Sequence, residues 1–236
     1  MSEPAVRAAY DAVARAYADQ FAGELGHKPL DRALLASLCD LTGEGVLADV
    51  GCGPGHVTRF LADLHADVVG VDLSQEMVVV ARERNPDLSF LQGSMLDLPV
   101  ADRAWAGAAC QYSMIHLTDA ERAAACAELG RVIRPGGALL VAFHVDTAEL
   151  RVGQVHHLSQ WFGRPVSLDA HFLAPEDVTA ELERAGFAVW SQTLRQPDPA
   201  IEYPSRRCYL LARRVVESEG DNLELPDNRE EMRVSG

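Results

Sequence analysis

Residues 46–55, Val-Leu-Ala-Asp-Val-Gly-Cys-Gly-Pro-Gly, decide the fold of this chain. An apolar run leads into Asp49, and a helical pattern over 56–64 follows the glycines, which predicts a strand, a glycine loop and a helix. A second apolar run over 68–71 ends in Asp72, about 20 residues past the loop, where a carboxylate can accept hydrogen bonds from a ribose. These elements predict the first half of a nucleotide-binding βαβ unit.

The glycine loop indicates which nucleotide is bound. A dinucleotide loop reads G-x-G-x-x-G and offers backbone amides to a pyrophosphate, whereas this loop reads G-x-G-x-G and contains Pro54, which has no amide hydrogen. Asp49 would repel a pyrophosphate and suits an ammonium group. S-adenosylmethionine carries such a group together with a ribose diol, so we expect Asp49, Gly51 and Gly53 to hold its methionine end and Asp72 its ribose. A tight turn without a ligand is the alternative interpretation.

Four segments in order resemble the class I S-adenosylmethionine-dependent methyltransferases, in particular those that act on small molecules. They are 49–55, VVGVDLSQEMVVVARE (68–83), LQGSMLDLPV (91–100) and LGRVIRPGGALLVAF (129–143), and the resemblance covers roughly residues 5–215. It implies an α/β fold with a Rossmann-like sheet of seven strands, mostly parallel with an antiparallel last strand, and helices on both faces. It also implies methyl transfer from S-adenosylmethionine to an oxygen or nitrogen of a small molecule.

The same resemblance implies further cofactor contacts. Tyr10 and Tyr17 fit a YDxxAxxY motif that closes over the cofactor from an N-terminal helix, although packing of that helix alone would explain their spacing. Leu73 follows the ribose carboxylate, and Ser94 and Met95 lie where the adenine is expected. The family often has an acid after the third strand, and this chain has none there, so its adenine contacts depart from the pattern.

The segment after the fourth strand carries the candidate catalytic residue. It reads Gln-Tyr-Ser-Met-Ile-His over 111–116, without the N-P-P-Y-type motif of DNA amino-methyltransferases. Gln111 is expected to contact the cofactor. His116 lies where related small-molecule enzymes place a polar residue, and it is either a general base or a structural histidine that caps a helix or binds a carbonyl.

Periodicity predicts the remaining elements. Helices are expected at 5–24, 30–41, 74–84, 119–132 and 175–185, and strands at 46–50, 67–72, 88–92, 104–111, 138–143, 187–194 and 206–213. The predicted organisation is a pair of N-terminal helices (1–42), a cofactor-binding core (43–143), a substrate cap (144–174), the rest of the sheet (175–215) and an acidic tail (216–236).

The segment 144–174 is expected to be irregular and to cover the acceptor, because it emerges at the carboxyl ends of the strands. Its histidines and aromatic residues predict a pocket for a planar or anionic molecule, with His144, His157, Trp161 and His171 as the substrate residues. No metal is expected, since the segment has no metal-ligand spacing and few carboxylates.

Composition limits the partners. The net charge of −14 argues against nucleic acid, which needs a basic face. Residues 216–236 contribute −5 of it with almost no apolar content, which predicts a disordered tail.

The five cysteines lack paired spacing, and the chain shows neither a signal peptide nor a run of about 20 apolar residues, so a cytoplasmic protein without a membrane partner is expected. A monomer and a homodimer are both open. The competing functions are an NAD(P)-linked reductase and a non-catalytic protein that binds S-adenosylmethionine.

Overall fold

The structure, a computed structural model, describes residues 2–65, 67–198 and 200–216. Helices and strands alternate through most of this part of the chain. The helices are α1 (Glu3–Phe21), α2 (Pro29–Thr42), α3 (His56–Ala62), α4 (Gln75–Arg84), α5 (Asp119–Val132) and α6 (Pro175–Arg184). The strands are β1 (Leu47–Val50), β2 (Val68–Asp72), β3 (Ser89–Gln92), β4 (Trp105–Gln111), β5 (Ile133–Asp146), β6 (Val155–Trp161), β7 (Arg164–His171), β8 (Phe187–Arg195) and β9 (Arg206–Arg214).

Seven of these strands form one sheet in the order β3-β2-β1-β4-β5-β9-β8. Strands β1 to β5 pair in parallel, whereas β9 runs antiparallel to both β5 and β8. The predicted sheet, mostly parallel with an antiparallel last strand, is confirmed. The chain winds outward from β1 in both directions, so a crevice opens at the carboxyl ends of β1 and β4, where ligands bind in such sheets.

The core lies on both faces of the central strands. In β5, Leu139 and Val141 pack in the layer of α5 and α6, while Leu140 and Ala142 pack in the layer of α2 and α3. All four side chains are fully buried. A parallel strand that is covered on both sides must be apolar at every position, which explains the unbroken apolar run of the sequence here.

Strand β5 begins earlier than the sequence predicts, at Ile133, and its pairing with β4 is interrupted. Ile133 pairs with Trp105, and the pairing resumes only at Gly107 with Ala138. The four intervening residues, 134–137, bulge out of the ladder, and Gly136 has φ +80°. The residues between the predicted helix at 119–132 and the predicted strand at 138–143 therefore form a bulge within the strand.

The expectation of an irregular segment over 144–174 is wrong, because β6 and β7 form an antiparallel hairpin there. Phe162 and Gly163, with φ of +47° and +72°, make its two-residue turn. The pairing shifts register between Leu158 and Gln160, where two residues of β7 stand opposite one residue of β6, so the bulge lies in β7. The predicted tail lies, apart from Val216, outside the described residues.

Helix α1 lies across the carboxyl ends of the strands, between α4 and the hairpin. Its aromatic side chains meet those of the hairpin turn, with Tyr10 and Tyr17 ring centroids 5.5 Å and 5.4 Å from that of Trp161. Helix and hairpin thus form one aromatic cover. Within the described residues, no helix combines the length and the apolar character that crossing a bilayer requires.

Candidate functional site

A cleft of about 1230 Å³, counted out to its open mouth, lies beneath this cover at the carboxyl ends of β1, β2 and β4. It brings together every cofactor residue that the sequence predicts, and His116 lies in the same wall. The ten predicted cofactor residues in its lining are Tyr10, Tyr17, Asp49, Gly51, Gly53, Asp72, Leu73, Ser94, Met95 and Gln111.

The glycine loop has a backbone that other residues rarely adopt. Gly51 and Gly53 have φ of +77° and +53°, in the left-handed region. A Cβ on Gly51 would lie 2.3 Å from the Cβ of Ser113, and one on Gly53 would lie 3.9 Å from Cε1 of Tyr17. Gly51 is therefore required by close packing against the residues after β4, and Gly53 by its φ, beneath the aromatic cover.

Asp49 ends up almost fully buried at the base of the loop, with 1% of its surface exposed. Its Oδ2 accepts a hydrogen bond of 2.7 Å from the hydroxyl of Thr58 on α3. Burial raises the pKa of this carboxyl to about 6, against the lowering effect of that hydrogen bond. At neutral pH the cleft therefore contains a buried negative charge.

Asp72 is the second acid of the cleft. One carboxylate oxygen accepts from the amide of Gly53 at 2.7 Å and the other from the amide of Ser74 at 2.8 Å. Burial raises its pKa to about 6, and the nearby Asp49 contributes in the same direction. The cap of α4 is Ser74, whose hydroxyl accepts from Met77 N, so the Asp72 carboxylate is left to face the cleft.

The imidazole of His116 is held by two partners. Its Nδ1 lies 2.7 Å from the carbonyl oxygen of Asp169 in β7, so this nitrogen carries the hydrogen. Its Nε2 lies 2.7 Å from the Tyr10 hydroxyl, which must be the donor. Burial lowers the pKa of His116 to about 4, and at neutral pH the ring is uncharged.

A charged cluster next to the glycine loop was not predicted from the sequence. Glu24 accepts from Lys28 Nζ at 2.6 Å and lies 2.9 Å from His56 Nε2. Burial alone would raise the pKa of Glu24, but its hydrogen bonds to both partners and their charges lower it to about 2. Lys28 is the one lysine or arginine among the described residues that line the cleft. The spacing of four between Glu24 and Lys28 was the only signal in the sequence, and it does not indicate a cleft.

The four predicted substrate residues lie outside the cleft lining. His144 stacks behind Tyr112 with ring centroids 4.9 Å apart and bonds Ser205 at 2.6 Å. Trp161 belongs to the aromatic cover. His157 is exposed and bonds a carboxylate oxygen of Asp169, and His171 ends β7. Tyr112, which the sequence analysis did not single out, has φ +56° and does line the cleft.

The cleft fits a ligand with hydrogen-bond acceptors. The amide nitrogen of Gln111 is buried, lines the cleft and has no acceptor among the described residues. A buried donor without a partner is costly, and a ligand can supply one. Within the ranges that the structure covers, no three histidine, cysteine or acidic side chains are grouped as metal ligands.

Comparison with known proteins agrees with this geometry. Residues 47–137 match the model of a family described as a methyltransferase domain. A demethylmenaquinone methyltransferase of Beutenbergia cavernae is 39% identical over 47% of this chain, and a malonyl-[acyl-carrier protein] O-methyltransferase of Pseudescherichia vulneris is 32% identical over 80% of it. The matches span 45% and 71% of these relatives, so the chain covers less than half of the first one.

Among solved structures, a DhpI–SAH complex has the same fold, with a TM-score of 0.69 at 22% identity over 90% of this chain and 97% of that one. The fold, the glycine loop with its two acids, and the relative of which the chain spans 71% together define the class. The chain belongs to the class I S-adenosylmethionine-dependent methyltransferase family.

Proposed function

We propose that this protein is a methyltransferase that uses S-adenosylmethionine to methylate an oxygen or nitrogen of a small molecule. The observation that carries the proposal is the pair of acids beside a glycine loop in one cleft, the buried Asp49 and the half-buried Asp72. Such a pair attracts a cation with a ribose diol and repels a pyrophosphate. The alternative of an NAD(P)-linked reductase finds no support in this loop.

We assign different residues of the cleft to different parts of the cofactor. Asp72 accepts from the ribose hydroxyls, and Asp49 faces the positive ammonium beside Gly51 and Gly53. The cluster of Glu24, Lys28 and His56 adjoins the loop, because His56 begins α3 directly after it. We assign Lys28 to the methionine carboxylate, since its charge is the complementary one.

S-adenosylmethionine, when bound, supplies a methyl carbon activated by its sulfonium. The chain has to align an acceptor with that carbon and exclude water. Gln111, Tyr112, Tyr10 and His116 line the cleft, and we assign them to the side where the acceptor would approach. A neutral amine needs no base there, whereas an acceptor hydroxyl would replace the Tyr10 hydroxyl on His116 Nε2 and give that nitrogen its proton.

The acceptor is proposed to be a small molecule, since a cleft beneath an aromatic cover suits one better than a polymer. Trp161 would affect acceptor binding indirectly, because it packs on Tyr10 and Tyr17. His144 would do so through Tyr112, on which it stacks. Five buried thiols without disulfides fit a cytoplasmic protein. A monomer or homodimer is proposed, which light scattering distinguishes.

Calorimetric titration with S-adenosylmethionine, S-adenosylhomocysteine and NADPH tests the cofactor. The wild type should bind the first two, and Asp72→Asn should weaken both about tenfold or more, because a hydrogen bond to a charged acceptor is lost. Asp87→Asn is the matched control, because Asp87 lies on the surface in an ion pair with Arg59. Preference for NADPH, or an equal loss in both variants, would refute the proposal.

Transfer of a labelled methyl group then tests catalysis. Acceptors that the relatives' names suggest, demethylmenaquinone and malonyl-[acyl-carrier protein], start a panel that also contains phenols and amino sugars. Turnover with any acceptor establishes an enzyme. Cofactor binding without turnover across the panel would favour the non-catalytic binding protein.

A further inference from the structure

Beside Asp72, five apolar residues of the cleft lining form what we name the base end. Its walls are mainly apolar and come from α1 and from the loops after β2, β3 and β4. These wall residues are Val6, Leu73, Met95, Leu96 and Leu117. If the ribose lies at Asp72, the base of the nucleoside must enter this end. A planar base in apolar surroundings still needs partners for its polar edge.

The hydroxyl of Ser94, which the sequence analysis expects to meet the base, is already committed. It donates its single hydrogen to Glu3 Oε2 at 2.6 Å and accepts from the amide of Leu96 at 3.0 Å. A hydroxyl has only one hydrogen to donate. Ser94 therefore serves mainly to orient Glu3.

Glu3 is the carboxylate at this end that can accept a further hydrogen bond. It lines the cleft from the first turn of α1, with 31% of its side chain exposed. Its other oxygen meets only Arg7, at 3.5 Å, a pair too exposed and too long to occupy it. Glu121 lines the same end, but both the amide and the hydroxyl of Thr118 donate to it, so it is held in the cap of α5.

We propose that Glu3 reads the base by accepting a hydrogen bond from the exocyclic amine of adenine. This inference rests on the proposed function. The N-terminal helix then supplies the carboxylate that the end of β3 lacks in this chain. Glu3 selects a purine with an amino group at C6 over one with a carbonyl oxygen, since two acceptors repel each other.

Titration with S-adenosylhomocysteine and S-inosylhomocysteine tests this role, because the two ligands differ only in the amine or carbonyl at C6 and in the hydrogen that accompanies the carbonyl at N1. The wild type should prefer the adenine ligand. Glu3→Ala should bind it roughly tenfold to a hundredfold more weakly, with little change for the inosine ligand. Glu3→Gln keeps an acceptor for Ser94 and adds a donor. It should therefore reduce the preference for the adenine ligand over the inosine ligand while it preserves the fold.

Asp11→Asn is the matched control on the same helix. Asp11 accepts from Ser74 Oγ and Glu76 N and so docks α1 on the core, without lining the cleft. Its loss should weaken both ligands by the same factor. An unchanged ratio of the two affinities in Glu3→Ala and Glu3→Gln would overturn the inference, whereas failure of the wild type to bind S-adenosylhomocysteine would overturn the proposed function instead.

Discussion

Replacement of Asp49 by asparagine should stabilise the ligand-free protein and weaken its binding of S-adenosylmethionine. The Asp49 carboxylate is buried with Thr58 as its hydrogen-bond partner. No lysine or arginine of residues 2–65, 67–198 or 200–216 forms an ion pair with it. An asparagine has nearly the same shape and still offers an oxygen to Thr58, so the substitution removes mainly the buried charge.

The magnitude follows from the pKa of the Asp49 carboxyl, which rises from 3.8 to about 6 in the folded state. Between these values the folded protein binds more protons than the unfolded one, so the free energy of unfolding falls as the pH rises through this window. A shift of about two pKa units corresponds to about 3 kcal/mol. Asp49→Asn should therefore gain up to about 3 kcal/mol over the wild type above pH 6, and almost nothing near pH 4.

Urea denaturation between about pH 4 and pH 7.5 measures this difference, and calorimetry measures the accompanying loss of affinity, expected to be tenfold or more. Asp87→Asn serves as control with the opposite sign. Its carboxyl has a pKa lowered by the hydrogen bond to Arg59, so neutralising it should bring no gain at neutral pH. A variant of Asp49 that is less stable than the wild type at neutral pH, or a difference that does not vary with pH, would refute the reasoning.

Two further substitutions test the loop and the histidine. Gly51→Ala would place a Cβ 2.3 Å from that of Ser113 at a positive φ, so it should lower the melting temperature, cost about 1–3 kcal/mol and abolish cofactor binding. Gly23→Ala, with open space around it, should change neither, and equal effects of the two would contradict the packing argument. Tyr10→Phe removes the donor to His116 Nε2, which favours the neutral ring. The pKa of His116, which burial lowers to about 4, should then rise in an NMR titration while burial keeps it below its ordinary value, and an unchanged value would mean that burial alone sets it.

The sequence predicted the parts of the site that are local along the chain. Asp49 and Gly51 lie at the end of one strand and Asp72 at the end of the next, so strand order alone brings them to one edge. The contact that makes Gly51 indispensable comes from Ser113, beyond a different strand. Only the tertiary fold specifies that contact, although the glycine itself was visible.

The sequence did not predict the hairpin, because the apolar residues of β6 do not alternate regularly with polar ones. Leu158 and Trp161 both pack towards α1, although a spacing of three would place them on opposite faces of a regular strand. The pairing is also irregular after Leu158, where two residues of β7 stand opposite one residue of β6. Phe162 in the turn has a positive φ, which the sequence does not indicate because phenylalanine rarely adopts it.

Helix α1 explains why the tyrosine spacing was ambiguous in the sequence. Glu3, Tyr10 and Tyr17 follow one another at intervals of seven residues, which puts them on one helix face with about 10 Å between each and the next. A core stripe has the same spacing, but all three of these side chains line the cleft. One helix thus meets the proposed base end, the candidate catalytic histidine and the glycine loop. Because Tyr10 on this helix both lines the cleft and donates to His116 Nε2, a ligand that displaces the Tyr10 hydroxyl would also free that nitrogen.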